Sequence, residues 1–359
     1  MPRRDAGQTV VWAIGFACLS TAASAASPYS APKNTFGQPD FQGVWNNASI
    51  TRLEREANYG AHLVMSPEEV SKAEGAREAI VKLQGERTDP NASLKQVTST
   101  CDVGGGFTGG PACGYNGAWT EPGNTVMRVG GQPRTSFITT TANGRLPAYQ
   151  PGKSFSRSRR RENEDPETSP AGPADNPEDR SLGERCLLSF GNASGPVMLP
   201  RLYNNNYQFI QTKDEFDILV EMVHDVRHVH LNTTKHPPSN VRPWMGDSIG
   251  RWQGDTLVIE TTNFPAVQAK AFYGASPDIK VTERLRRVSP TRILYQFTVE
   301  DPTTWRQPWG GEYEFSSAPG PIYEYACHEG NYGLEGILAG ARSEDAAKQA
   351  SVAKGSAAH

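Results

Sequence analysis

The sequence predicts a mainly β protein: an antiparallel meander that forms a lipocalin-like barrel or half-barrel, with a few short helices. A flatter β-sandwich is the competing architecture. Three observations carry this expectation. From Asn206 onward one short β-type run follows another: Tyr207 to Thr212, Glu215 to His224, Arg227 to Leu231, Ile249 to Trp252, Thr256 to Thr262, Ile279 to Val288, Ile293 to Val299 and Tyr313 to Ser316. The connections are tight, as at Gln253-Gly254-Asp255 and Ser289-Pro290-Thr291, so neighbouring strands run antiparallel. No segment recurs at a fixed period, which argues against a propeller.

The elements follow in order. Arg3 and Arg4, the mostly apolar or small run Thr9 to Ala23, and Ala23-Ser24-Ala25 have the anatomy of a secretory signal peptide over 1–25, with the mature chain exported to the periplasm or secreted. That run is too short for a membrane span and contains Ser20 and Thr21; no later segment reads as transmembrane. The N-terminal region, 26–150, begins as an extended leader from Pro28 to Pro39 and enters the fold with a strand at Asp40-Phe-Gln-Gly-Val-Trp45. Ser66-Pro67-Glu68-Glu69 reads as a helix start, with Ser66 as N-cap, Pro67 in the first turn and Glu69 completing a capping box; Gly85 stops the helix after Gln84. Cys101 to Gly131 is crowded with Gly and Pro and reads as loops. Arg134 to Thr140 is a candidate strand before a turn at Asn143-Gly144. Residues 151–181 read as a polar flexible loop, with few large apolar residues to order it by burial. The β domain spans 182–342 and ends in a helix from Tyr332 to Arg342, leaving 343–359 as a frayed tail.

A formal net charge of −3 argues against nucleic acid as a partner. Of the five cysteines, Cys18 leaves with the signal. Cys101, Cys113, Cys186 and Cys327 remain, an even number in an oxidising compartment, with three possible pairings. Cys101 and Cys113 bracket a glycine-rich loop, and by elimination Cys186 pairs with Cys327. The competing reading makes Cys327 a nucleophile activated by His328, although adjacent residues of a strand point to opposite faces.

Two clusters could carry chemistry. In a regular strand Phe216, Ile218, Val220, Met222 and His224 share an apolar face, which places His224 at its inner end as a proton carrier or as a hydrogen-bonded core histidine. Asp225 and Arg227 lie on the other face, with a structural ion pair as the plainer reading of Arg227. His228-Val-His230 has the His-x-His spacing of metal-binding barrels; with His224 and His236 nearby it offers a metal site, and an exposed edge strand gives the same pattern without metal. The second cluster is His328, Glu329 and Tyr332 beside Cys327. No cofactor motif is present.

Several blocks together resemble a family of secreted bacterial β-rich proteins of no established function: Pro39-Asp-Phe-Gln-Gly-Val-Trp45, His224-Asp225-x-Arg227, Trp244-Met-Gly-Asp-Ser-Ile-Gly-Arg-Trp252, Gly254-Asp-Thr-Leu-Val-Ile-Glu-Thr-Thr-Asn-Phe264 and Cys327-His-Glu-Gly-Asn-Tyr332. The resemblance implies His224, Asp225, Arg227, His236, His328 and Glu329 as site residues, and His228 and His230 as departures from the pattern. The resulting expectation is an exported lyase, isomerase or hydrolase acting on a small, partly apolar molecule in the barrel. His224 and His328 serve as acid and base, tuned by Asp225 and Glu329, with Arg227, His236, Tyr332 and Trp244 as substrate contacts. The alternatives are a non-catalytic binding protein of lipocalin type and a metal-dependent enzyme using the histidines of 224–236.

Overall fold

A computed structural model describes residues 29–85, 91, 121–155, 174–180, 182–188, 195–201, 203–327 and 332–356. The expected β architecture is present as a closed barrel. Its wall is β1 (Gly43–Asn46), β4 (Asn206–Gln211), β5 (Glu215–Val220), β6 (Val226–His230), β7 (Asp247–Gln253), β8 (Thr256–Thr262), β9 (Lys280–Ser289), β10 (Arg292–Glu300) and β11 (Trp309–Ser317). From β7 to β11 each strand pairs antiparallel with the next; tight turns force this for β7–β8 and β9–β10, whereas the longer connection over 263–279 carries a short helix between β8 and β9. Only β6 and β7 run parallel, through Val229↔Ser248 and His230↔Ile249. β1 closes the wall by pairing with both β4 (Trp45↔Tyr207) and β11 (Trp45↔Ser317). The barrel thus takes its closing strand from the N-terminal region.

Alternation fills the lumen. Tyr207, Phe209, Phe216, Ile218, Tyr295, Phe297, Tyr313 and Phe315 point inward and are nearly inaccessible, with rings packed edge-on or tilted, as in Tyr295–Tyr313 at 4.9 Å. One end is closed by Phe41, which packs on Phe216 and Trp252 and whose N–H donates to Gln211 Oε1 at 2.5 Å. Near the other end lies a plug, Gly195–Leu199, with Val197 and Met198 fully buried. Its Met198 N–H donates to Tyr295 Oη at 3.2 Å, and its Met198 carbonyl accepts from the Tyr313 hydroxyl and from Asn47 Nδ2.

Two strands depart from expectation. β5 stops at Val220 rather than His224, because Met222–His224 turn as a short 3-10 segment in which Val223 (φ 63°) and His224 (φ 47°) are left-handed. Glu221 fastens this turn, its Oε2 accepting from Asn206 N–H and Nδ2 at 3.2 and 2.9 Å. The expected strand Arg134 to Thr140 finds no continuous partner. Its N–H groups donate in succession to the Met127, Leu63, Arg52, Leu53 and Gly310 carbonyls, and only Arg52 and Leu53 are neighbours in the chain. A Cβ at Gly311 would overlap the Phe137 carbonyl, so glycine there permits this close crossing. A two-stranded ribbon, β2 (Arg128–Val129) and β3 (Gln132–Pro133), precedes it.

The helices are few. α1 (Pro67–Gln84) starts at the expected capping box: Glu69 N–H donates to Ser66 Oγ at 3.2 Å and Ser66 N–H to Glu69 Oε2 at 2.8 Å. α2 (Ala266–Ala271) is short, and α3 (Gly333–Ser356) continues through most of the segment expected to be a frayed tail. α1 docks through polar contacts. Glu74 Oε1 accepts from Val126 N–H, and Arg77 Nε donates to the Gly123 carbonyl.

Candidate functional site

The cleft lies outside the barrel. It has a volume of about 1320 Å³ and is bounded by the segment Ser49–Tyr59, the inner face of α1, residues of 122–155, and Leu199–Arg201 behind the plug; no barrel strand lines it. α1 faces it with Ala73, Ala76, Arg77 and Ile80, positions three or four apart that share one helical face. Leu53, Phe137 and Leu146 supply apolar wall.

Its charge is lopsided. Arg52, Arg55, Lys72, Arg77, Arg134, Arg145 and Arg201 line the cleft against Glu54, Glu56 and Glu69. The carboxylates are engaged locally: Glu56 pairs with Arg52 at 2.8 Å, Glu54 accepts from Leu146 N–H at 2.9 Å, and Glu69 caps α1 while holding His62 at 3.0 Å. Arg134 pairs with Glu312 at 2.9 Å. Arg55, Arg77 and Arg145 have no carboxylate within 4.0 Å among the described residues. Arg55, only 3 % exposed, donates to neutral acceptors: Thr135 Oγ1 (3.0 Å) and the carbonyls of Ala61 (2.7 Å) and Ala142 (3.2 Å). Arg77 donates to Gly123 O and Asn124 Oδ1, and Arg145 Nε to the Arg55 carbonyl at 3.1 Å. Burial lowers the pKa of the Arg55 and Arg77 guanidiniums, yet a guanidinium stays charged at neutral pH. Arg55 and Arg77, buried cations satisfied by neutral acceptors, favour an incoming anion, and Arg145 adds an exposed charge at the rim.

The residues singled out in the sequence do not converge. His224, expected at the inner end of a buried face, is exposed. The left-handed turn at Val223 and His224 ends the strand before it and shifts the alternation. The same shift turns Arg227, expected on the outer face, into the lumen, where it is 1 % exposed. There Arg227 Nη1 and Nη2 donate to Glu283 Oε2 and Oε1 at 2.6 and 3.1 Å, and Tyr295 donates to Glu283 Oε1 at 2.7 Å. Burial works against the Arg227 charge, but the Glu283 carboxylate outweighs it and raises the guanidinium pKa. Burial also pushes the Tyr207 hydroxyl up to about 12, and those of Tyr295 and Tyr313 well above their ordinary value. Asp225 is half-buried at the end of the turn.

His236 sits on the outer wall, its Nδ1 2.5 Å from Asp247 Oδ2 and its Nε2 3.4 Å from Glu260 Oε1; Nε2 is buried, which keeps it from meeting a substrate. Trp244 and Tyr332 are exposed. His228 and His230 stand outside β6 beside Asp217 and Glu215. Cys186 and Cys327 form a disulfide. Cys101, Cys113, His328 and Glu329 lie outside the described residues. No family model, curated protein or solved structure matches the chain. The arginines of the cleft escaped the sequence reading because Arg55, Arg77 and Arg145 come from three separate segments; their common signal, guanidiniums with no carboxylate within 4.0 Å among the described residues, exists only in the fold.

Proposed function

We propose that this chain is a binding protein for a small, partly apolar organic anion, held in the cleft between α1 and the barrel. The observation that carries the reading is the set of cleft arginines, Arg55, Arg77 and Arg145, without carboxylate partners among the described residues. An anionic group would take the free guanidinium donors, and the apolar wall would take the rest of the ligand. The test uses 8-anilinonaphthalene-1-sulfonate, an apolar anion, titrated by fluorescence at low and high salt. Arg77→Gln and Arg145→Gln should each weaken binding about tenfold or more, from the loss of a charge-assisted hydrogen bond. Arg55 is left intact because it ties three segments together. Binding that ignores both substitutions and salt would sink the reading.

We further propose that the protein works in the periplasm or outside the cell. The signal-like N-terminus supports this, as does the Cys186–Cys327 disulfide, a bond that persists in oxidising compartments. No helix among the described residues is long and apolar enough to cross a membrane.

Acid–base catalysis is a second reading, favoured by one observation. The disulfide holds Cys327 in place, and the next residue in the sequence, His328, carries an imidazole, the side chain suited to proton transfer near neutral pH. On this reading His328→Ala abolishes turnover of a cleft ligand while leaving its binding intact; unchanged turnover would exclude His328.

A further inference from the structure

The outer face of the β5–β6 hairpin gathers four metal-ligating side chains. Glu215 and Asp217 are two apart on β5, and His228 and His230 two apart on β6, so each pair shares a face. The register sets them opposite one another, Glu215↔His230 and Asp217↔His228. The alternate residues, Phe216, Ile218, Arg227 and Val229, turn inward and are buried, which fixes the four outward side chains as a square on a paired, rigid scaffold. His228 Nδ1 lies 2.8 Å from Asp217 Oδ1, and His230 Nδ1 3.5 Å from Glu215 Oε1. One ligand atom each of Glu215, Asp217 and His228 falls within 4.8 Å of the others. Neither carboxylate pairs with a Lys or Arg among the described residues.

We propose that Glu215, Asp217 and His228 bind one divalent transition-metal ion, with His230 as the fourth ligand. The donor set decides the class. Two imidazoles with two carboxylates suit zinc, nickel or copper, whereas magnesium and calcium demand a shell of oxygens. Ligand atoms bound at about 2.0–2.2 Å stand roughly 3–3.5 Å apart around a tetrahedral ion. Side-chain shifts of about an ångström therefore bring Glu215, Asp217 and His228 to that spacing without backbone movement, while His230, 3.5 Å from Glu215, needs a larger turn of its ring to complete the set. The two carboxylates balance the charge of the ion, and a neutral His228 frees Nδ1 by carrying its proton on Nε2 instead. The ion would join β5 to β6 across the strained turn at Val223 and His224.

The test is calorimetric titration of the full chain, without an affinity tag, with zinc, nickel and magnesium chlorides. Zinc and nickel should bind at one ion per chain, magnesium should not, and zinc at a hundredfold excess over its Kd should raise the thermal midpoint by on the order of 5 °C. His228→Ala, His230→Ala and Asp217→Asn should each weaken zinc binding at least about tenfold. His228 and His230 are largely exposed, so their substitution should leave the metal-free midpoint in place. His62→Ala, at the separate His62–Glu69 pair, should leave binding unchanged. Zinc binding that survives His228→Ala, vanishes with His62→Ala, or is matched by magnesium would overturn the proposal.

Discussion

Replacing Glu283 by Gln tests how the lumen is held together. The pair Arg227–Glu283 is bidentate, and both side chains are almost wholly inaccessible, at 1 % and 0 %. Glu283→Gln keeps the shape of the side chain, but the new amide turns one acceptor into a donor that faces Arg227. The guanidinium charge is then left buried without a counter-charge. Breaking a buried pair on one side costs about 3–5 kcal/mol, which for a chain of this size lowers the thermal midpoint by on the order of 10 °C. Urea unfolding followed by tryptophan fluorescence measures the loss, with the disulfide kept oxidised. Arg227→Met in the Glu283→Gln background should recover much of it, because the unpaired charge leaves with the arginine; the two substitutions together should cost less than the sum of the single ones by about 2 kcal/mol. If Glu283→Gln stays within about 1 kcal/mol of the parent, or if the two losses simply add, the pair is not the organiser of the lumen.

Three other outcomes follow from the structure. Cys186 and Cys327 close a loop with a sequence separation of 141, so Cys186→Ser/Cys327→Ser should lower unfolding stability by up to about 5 kcal/mol on the chain-entropy account, while a loss below about 1 kcal/mol would contradict it. At Asp301, burial pushes the carboxyl up, but hydrogen bonds from Ser276, Thr304 and Thr303 more than offset it and the pKa is lowered. Its contribution is therefore present above about pH 4, the unfolded range, and fades as pH falls through the lower folded value. Asp301→Asn should be less stable than the parent at pH 7 and should converge with it in acid, as urea midpoints across pH will read. Tyr207, Tyr295 and Tyr313 bind their protons more tightly folded than unfolded, so stability should fall as pH rises from about 10 toward 12. Ultraviolet titration should show these hydroxyls ionising only as the barrel unfolds, and Tyr207→Phe should reduce the alkaline loss.

Local signals were legible in the sequence, and most contacts between distant segments were not; the Cys186–Cys327 disulfide, read from the parity of the cysteines, was the exception. β8 lies over the Thr256 to Thr262 run read from alternation, because its turn and its apolar period agree. Ser66 and Glu69 announced the start of α1 for the same reason: the whole device fits in four residues. His224 was misplaced because alternation assumes an unbroken strand, and Val223 is a β-branched residue that gives no hint of a left-handed turn. Arg227 could be read as half of an ion pair, but its partner lies 56 residues away on β9. The cleft was hidden altogether, since its walls come from segments around 50, 75, 135, 146 and 200. Closure of the barrel by β1 was equally hidden, because that strand reaches β11 across more than half the chain and β4 across a little less than half.

The plug at Gly195–Leu199 separates two kinds of inheritance within one molecule. Met198 occupies the lumen with its own backbone, donating to Tyr295 and accepting from Tyr313. Substitutions inside the wall can then change how much heat or denaturant the protein withstands, but they have no guest to discriminate. On the proposed reading, ligand preference is free to drift through Arg77, Arg145 and the loops around them, on a frame that does not have to be rebuilt each time. Relatives of this chain could therefore share a barrel almost side chain for side chain and still bind quite different molecules.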